Sequence, residues 1–308
     1  MSMQVVFLGT AGSIPTVRRA LPAVALRRKD ELIIFDCGEG VQRQMIKARV
    51  GFHKKTKIFV THMHGDHVLG MPGLLQTMSL LNREKKLDIY GPVGINAFIE
   101  AIEQTVQFGL TFPILVKEIC QEGIVCEERE YSVQTVQADH VVSALAYAFV
   151  EKPRPGQFNK ERVKNFGIPE GPLWSKLQRG ENVNLSDGRT VESSDILGKP
   201  RSGRKIVYSG DTRPSEALVK LSKEADLLVH EATLGDELKE RAFEDGHSTP
   251  SQAAEAAKRA GVKQLILTHI SARYKTPDSL LSQARRVFKN VKIAEDFMRI
   301  DLPLSDSA

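Results

Sequence analysis

Cysteine is scarce in this 308-residue chain, which has only Cys37, Cys120 and Cys126. They form neither a disulfide framework nor a CxxC metal motif. Cys37 follows an apolar run and precedes Gly38, so a buried or turn-packed thiol is expected there rather than a catalytic one. Long apolar runs are missing too: none reaches the ~18 residues of a membrane helix. Met1-Ser2-Met3-Gln4 lacks the basic segment and apolar core of a secretion signal, so the default expectation is a cytoplasmic protein with no membrane partner. No short repeat or low-complexity tract dominates. Gly9-Thr10-Ala11-Gly12 falls short of G-x-G-x-x-G, which weighs against ordinary dinucleotide binding. Neither sign of charge dominates: 43 Lys plus Arg against 38 Asp plus Glu gives +5. That permits an anionic partner such as RNA without identifying one. The composition, 41% hydrophobic and 26% charged, fits a folded chain able to bury a substantial core.

Histidine is also sparse, and its distribution is uneven. Of 8 His, three fall within Thr61-His62-Met63-His64-Gly65-Asp66-His67, directly after the apolar run Ile58-Phe59-Val60. Imidazole and carboxylate donors at this density suit zinc, with manganese, iron and cobalt as rivals. A loop at a strand end can fold them toward one point, and their pattern suggests more than one ion. The competing reading is a polar surface loop that binds metal adventitiously. The crowding of so few histidines into one heptapeptide weighs against it. His140, Asp211 and His269 share the same context, each at or near the end of an apolar strand segment. Any one of them alone would serve equally well as a loop cap.

Short apolar segments alternate with helical patterns. Strands are expected at Val5–Leu8, Leu32–Phe35, Ile58–Val60, Leu87–Tyr90, Lys205–Tyr208, Leu227–Val229, Leu265–Leu267 and Val291–Ile293. A strand-rich middle spans residues 114–150. Helices are expected over 42–47, 69–81, from Pro92 onward, 251–260 and 277–288. The alternation suggests two sheets enclosed by helices, an α/β architecture. From Glu151 to Arg204 the rhythm breaks into Pro- and Gly-rich sequence that favours turns. Phe158, Phe166, Leu173 and Trp174 argue for packing or partner contact there, so a folded recognition insertion competes with a plain linker.

The H-x-H-x-D-H core, His140, Ser209-Gly210-Asp211 and His269 resemble the metallo-β-lactamase superfamily. Phe7-Leu8-Gly9-Thr10, Phe35-Asp36-Cys37-Gly38-Glu39, the insertion, Gly203-Arg204-Lys205, His230-Glu231-Ala232-Thr233 and His247-Ser248-Thr249 narrow the resemblance. They point to the ribonuclease Z family of transfer-RNA 3′-end endonucleases. The resemblance covers nearly the whole chain. It implies a four-layer αββα sandwich forming a single domain over 1–308, with an RNA-binding arm inserted at about 151–204. It implies two zinc ions: His62, His64 and His140 on one, Asp66, His67 and His269 on the other, and Asp211 bridging. Manganese or another divalent transition metal is an alternative. Asp66 is placed additionally as a group that orients the attacking water or accepts its proton. His247 is implied as proton donor or phosphate stabiliser, with Glu231 orienting it; a packed turn is the plainer reading of His247. Ser209, Thr233, Ser248 and Arg273 are candidates for phosphate contacts, although ordinary loop hydrogen bonding serves each alone. Lys152, Arg154, Lys160, Arg162 and Lys164 supply positive charge for RNA on the arm, or form a solvated face.

The resemblance implies removal of the 3′ trailer from precursor transfer RNA, leaving a 3′-hydroxyl and a 5′-phosphate, by a homodimer. It lapses at Pro15-Thr16-Val17-Arg18-Arg19-Ala20, where the family's Pro-x-Lys-x-Arg-Asn loses its Lys and Asn. That departure bears on discrimination at the 3′ end more than on hydrolysis. A hydrolase of small phosphodiesters, thioesters or other esters on the same fold, and a non-catalytic RNA-binding scaffold, are the competing functions.

Overall fold

Apolar runs such as Leu32-Ile33-Ile34-Phe35 are buried on both faces, which requires sheets covered on both sides. A computed structural model describes residues 3–304. Met1 and Ser2 of the N-terminal stretch, and the last four positions of the expected 1–308 domain, lie outside the described residues. One seven-stranded sheet runs, in spatial order, through Arg299–Leu302, Met3–Gly9, Ala23–Arg28, Glu31–Phe35, Lys55–Phe59, Leu87–Gly91 and Ile114–Glu118. The other runs through Val291–Ile293, Leu265–Thr268, Leu227–Glu231, Lys205–Tyr208, Ala144–Glu151, Tyr131–Ala138 and Gly123–Glu127. The strand-rich middle is thus divided: Ile114–Glu118 joins the first sheet and the next three strands join the second.

Helices Val41–Ala48, Met71–Leu80 and Ile95–Thr105 share an apolar cluster with the first sheet. Glu216–Leu221, Pro250–Ala260 and Asp278–Val287 do the same for the second. Between the sheets, Phe35 meets Tyr147 and Tyr208 with ring centroids 6.1 and 5.5 Å apart, and Phe59 meets Tyr147 at 5.3 Å. The result is the αββα sandwich of the metallo-β-lactamase fold.

Two strands of the first seven-stranded sheet are absent from the sequence expectation. Ala23–Arg28 is closed at its start by Leu21-Pro22, and Arg299–Leu302 pairs antiparallel with the first strand. One helix begins later than expected. Gly94, at φ 104°, precedes it, so the helix starts at Ile95 and Pro92 belongs to the turn before it.

By its internal packing the chain divides into two compact units. One holds the residues up to Glu128, Ser132–Val150 and Lys205–Pro303; the other holds Arg129–Tyr131 and Glu151–Arg204. The second has its own small core of Val163, Ile168, Trp174, Leu177, Val183, Val191 and Ile196, with Phe158, Phe166 and Leu173 against it. Trp174 donates its indole N–H to Ile168 O (3.0 Å), which satisfies the one polar atom its burial would orphan. At the ends of this insertion, Arg204 Nε and Nη2 donate to Glu151 Oε2 and Oε1 at 2.7 and 2.9 Å, a buried bidentate pair.

Candidate metal and active centre

The candidate residues occupy strand ends in both sheets. His62 and His64 lie in the loop after Lys55–Phe59, whereas Asp66 and His67 ride on one short helical turn, Gly65–Val68. His140 follows Tyr131–Ala138, Asp211 follows Lys205–Tyr208, and His269 follows Leu265–Thr268. Asp36 and His269 each leave their strands in the left-handed region, both at φ 58°. This turns the side chain off the strand direction at a cost that neighbouring contacts must offset.

The side chains converge. His62, His64 and His140 each bring a donor atom within 4.8 Å of the others, and so do Asp66, His67 and His269. Asp211 lies between the two sets, its Oδ2 3.7 Å from His62 Nε2 and 3.4 Å from both His67 Nε2 and His269 Nε2. Asp211, His247 and His269 form a further close group. The His247 atom nearest Asp211, Nδ1 at 3.9 Å, is taken by Glu231 at 3.0 Å.

A second layer fixes which imidazole nitrogens are open. Thr61 gives its hydroxyl hydrogen to Asp36, so its oxygen accepts the Nδ1–H of His62 (3.0 Å). His67 donates Nδ1–H to Asp36 Oδ2 (2.8 Å), and His140 donates Nδ1–H to Gly246 O (2.7 Å). Thr233 gives its hydrogen to Glu231 Oε2 (2.7 Å) and accepts from His269 Nδ1 (2.8 Å). Each of these four rings thus has Nδ1 committed to a neighbour and Nε2 turned to the centre, the orientation a metal requires. His62 Nε2 is buried with no hydrogen-bond partner among the described residues. An orphaned acceptor beside two carboxylates and four other imidazoles fits a pair of divalent cations and suits no purely polar core. Two glycines make room: a Cβ at Gly12 would lie 2.8 Å from His269 Nδ1, and one at Gly246 would lie 2.6 Å from His140 Nδ1.

The electrostatics agree with a cation site. Burial, followed by the charge of His67, depresses the His62 pKa to about 2, so this ring is neutral. Burial opposes charge on His67, but Asp211 and Asp36 outweigh it and raise its pKa. Burial likewise opposes ionisation of Asp211, and His269 and His67 overcome it, pulling its pKa well down. The negative charge that holds a proton on His67 is the charge a bound cation would neutralise, so metal binding would release that proton.

His247 and Glu231 form a distinct pair. Glu231 is buried and accepts five hydrogen bonds: from Thr212 N, Ser248 N and His247 Nδ1 at Oε1, and from the Thr233 amide and hydroxyl at Oε2. Burial works against a charged His247, yet the Glu231 carboxylate raises its pKa to about 9. Its Nδ1 is spent on Glu231, which leaves Nε2 as the atom available to a substrate.

Three of the expected phosphate contacts have partners within the protein. Ser209, Thr233 and Ser248 are buried, and their hydroxyls are committed within the protein. Ser209 donates to Gly210 O and accepts from Glu231 N, while Ser248 donates to Thr212 O. These residues bond to Glu231 and His269. Arg273 is exposed on the loop after His269. In the insertion, Lys160, Arg162 and Lys164 are exposed on the helix Lys160–Asn165, and Lys152 and Arg154 are half-buried. Asp36, singled out by sequence only as part of a motif, is the missed residue. Its strand-end position matches that of Asp211 and His269, a signal that would have marked it. Cys37 is buried, and burial followed by the charge of Asp36 pushes its thiol pKa up, away from reactivity.

Residues 181–270 match the beta-lactamase superfamily domain, and residues 3–150 match the family of the anti-Pycsar protein Apyc1. Ribonuclease Z of Methanosarcina acetivorans is 46% identical over 302 residues, covering 98% of both chains. Ribonuclease Z of Myxococcus xanthus is 45% identical over 309 residues, covering 99% of both. The crystal structure of the short form of human tRNase Z superposes with a TM-score of 0.72 at 32% identity, covering 98% of this chain and 100% of that one. Full-length identity at this level, together with the shared sandwich, means that the chain belongs to the ribonuclease Z family.

Proposed function

We propose that this protein is a zinc-dependent endonuclease that removes the 3′ trailer from precursor transfer RNA. The observation that carries the chemistry is the set of second-layer bonds that take up Nδ1 of His62, His67, His140 and His269 and turn each Nε2 toward Asp211. In this reading His62, His64 and His140 would hold one cation and Asp66, His67 and His269 the second, with Asp211 available to both. When bound, two such ions lower the pKa of water and neutralise charge developing on the phosphate. Asp66 accepts Ser13 N–H at 2.9 Å on Oδ2, which holds the carboxylate in place to orient the attacking water or take its proton. His247, charged through Glu231, donates a proton from Nε2 to the oxygen that leaves phosphorus. The phosphodiester then ends as a 3′-hydroxyl on the transfer RNA and a 5′-phosphate on the trailer.

Substrate choice rests on family membership and on charge. The exposed Lys160, Arg162 and Lys164, with Lys152, Arg154 and Arg273, supply phosphate contacts that need no base-reading motif, because RNA helices are recognised largely by shape and backbone. We assign residues 151–204 as the recognition arm of a single catalytic domain. The enzyme acts as a homodimer in the cytoplasm, the arm of one subunit serving the centre of the other. No described helix is long and apolar enough to cross a membrane.

The test is cleavage of a defined precursor transfer RNA with both product ends mapped, alongside elemental analysis and solution mass. The expected result is 3′-hydroxyl and 5′-phosphate ends, two zinc ions per chain and a dimeric mass. Folded, metal-free protein with full activity would end the metal reading. Turnover of small esters alone would favour the other hydrolase reading.

A further inference from the structure

Arg213, two residues after Asp211, is covered despite its charge, its side chain only 17% exposed. Every guanidinium nitrogen is committed within the protein. Nε donates to Phe243 O (2.6 Å), Nη2 to Glu244 O (3.4 Å) and Nη1 to Asp139 Oδ1 (3.0 Å). The guanidinium carbon lies 4.9 Å from the centre of the Phe243 ring. The Arg213 amide donates to Asp139 O, and the Asp139 amide donates to Thr212 Oγ1. Three chain segments therefore meet on one side chain. Asp139 precedes His140, Arg213 follows Asp211, and Phe243 and Glu244 precede Gly246 and His247. Gly246 O is the acceptor that fixes His140 Nδ1.

We infer that Arg213 is a positioning residue that sets His140 and His247 relative to Asp211. The Asp139 ion pair contributes little by itself, since Asp139 is 55% exposed and screened by water. The stronger link is to the Phe243 and Glu244 carbonyls, at the C-terminal end of the helix Lys239–Glu244, where backbone partial charge is negative and a cation is favoured. Only a planar fork reaches all three acceptors at once; the point charge of a lysine cannot. The same commitment argues against Arg213 as a phosphate contact. The inference rests on the proposed nuclease reading, because His247 matters only where a leaving group must be protonated.

The test compares wild-type protein with Arg213→Met and Arg213→Lys. Turnover of precursor transfer RNA, its salt dependence, and amide hydrogen exchange are measured at equal metal content. Both variants are expected to lose about 10- to 100-fold in kcat, the scale for second-layer metal-site partners, with KM within about twofold. Exchange over residues 243–247 should accelerate while the helix Met71–Leu80 keeps its protection. Full activity of Arg213→Lys would overturn the fork argument. A raised KM with unchanged kcat and a shallower salt slope would make Arg213 a phosphate contact instead. A lower melting temperature with normal kcat in the folded fraction would reduce it to packing. Exchange is read without substrate, so a wild-type protein that fails to cleave precursor overturns the nuclease reading while the clamp is still judged on residues 243–247.

Discussion

The strand-end centre and the Glu151–Arg204 insertion use polar groups in opposite ways. In the centre, charged and hydroxyl side chains are buried, and nearly every one is pinned by a neighbour; Glu231 alone accepts five hydrogen bonds. In the insertion, a small apolar core around Trp174 leaves Lys160, Arg162 and Lys164 in water. Buried polar groups carry large penalties when a partner is removed, whereas exposed cations exchange partners with solvent at little cost. The centre therefore holds a geometry and the insertion presents a charge. Substitutions in the first should act on kcat, and substitutions in the second on KM and salt dependence.

The largest effect is expected for Asp211→Ala. Loss of the carboxylate between the two clusters should lower kcat by roughly 10⁴- to 10⁶-fold, the scale of removing one member of a catalytic unit. RNA binding, measured separately on folded protein, should change little. Normal turnover would remove Asp211 from the chemistry. His247→Ala should cost about 10²- to 10⁴-fold and abolish the alkaline limb of the pH profile. That limb reflects deprotonation of His247, whose pKa, raised to about 9, would be lowered by cations bound nearby. The stability sign follows the same pair. A histidine raised above its unfolded value of about 6.5 stabilises the fold fully below that pH and loses the contribution as pH rises through the folded pKa. Chemical denaturation of wild type and His247→Ala between pH 6 and pH 10, a range of about four units that spans both values, should converge at the alkaline end.

Asp36→Asn is expected to cost about 10- to 100-fold in activity or metal affinity, because an amide cannot accept from Thr61, Tyr208 and His67 as the carboxylate does. Metal titration against a chelator would measure it, and unchanged affinity and rate would remove Asp36 from the second layer. The smallest catalytic effect belongs to Trp174→Ala. It should destabilise the insertion's own core by about 3–5 kcal/mol, read as faster exchange within residues 151–204. Hydrolysis of a small phosphodiester should stay at the wild-type rate.

Sequence carried the first half of the centre well, because His62, His64, Asp66 and His67 are neighbours and their crowding is visible without a fold. His140, Asp211 and His269 were legible only as strand-end residues, and their meeting depends on two sheets aligning their ends. The second layer was the least legible. Ser209, Thr233 and Ser248 have hydroxyls that suit a phosphate as well as a buried carboxylate, and only burial distinguishes the two. Ala23–Arg28 escaped because a short strand with two terminal arginines lacks a long apolar run, and Arg299–Leu302 because its alternation spans only four residues. Trp174 and its aromatic neighbours marked a packed insertion through a surplus of large apolar groups in otherwise turn-rich sequence.

The division between a centre that holds geometry and an insertion that presents charge is tested most directly by replacing Lys160, Arg162 and Lys164 together with alanine. Precursor transfer RNA and a small phosphodiester are then compared at equal metal content over a range of salt. The expected result is a raised KM for the precursor, a salt slope reduced by about one for each phosphate that is no longer neutralised, and unchanged hydrolysis of the small ester. Equal loss on both substrates, or an unchanged precursor KM and salt slope, would contradict it.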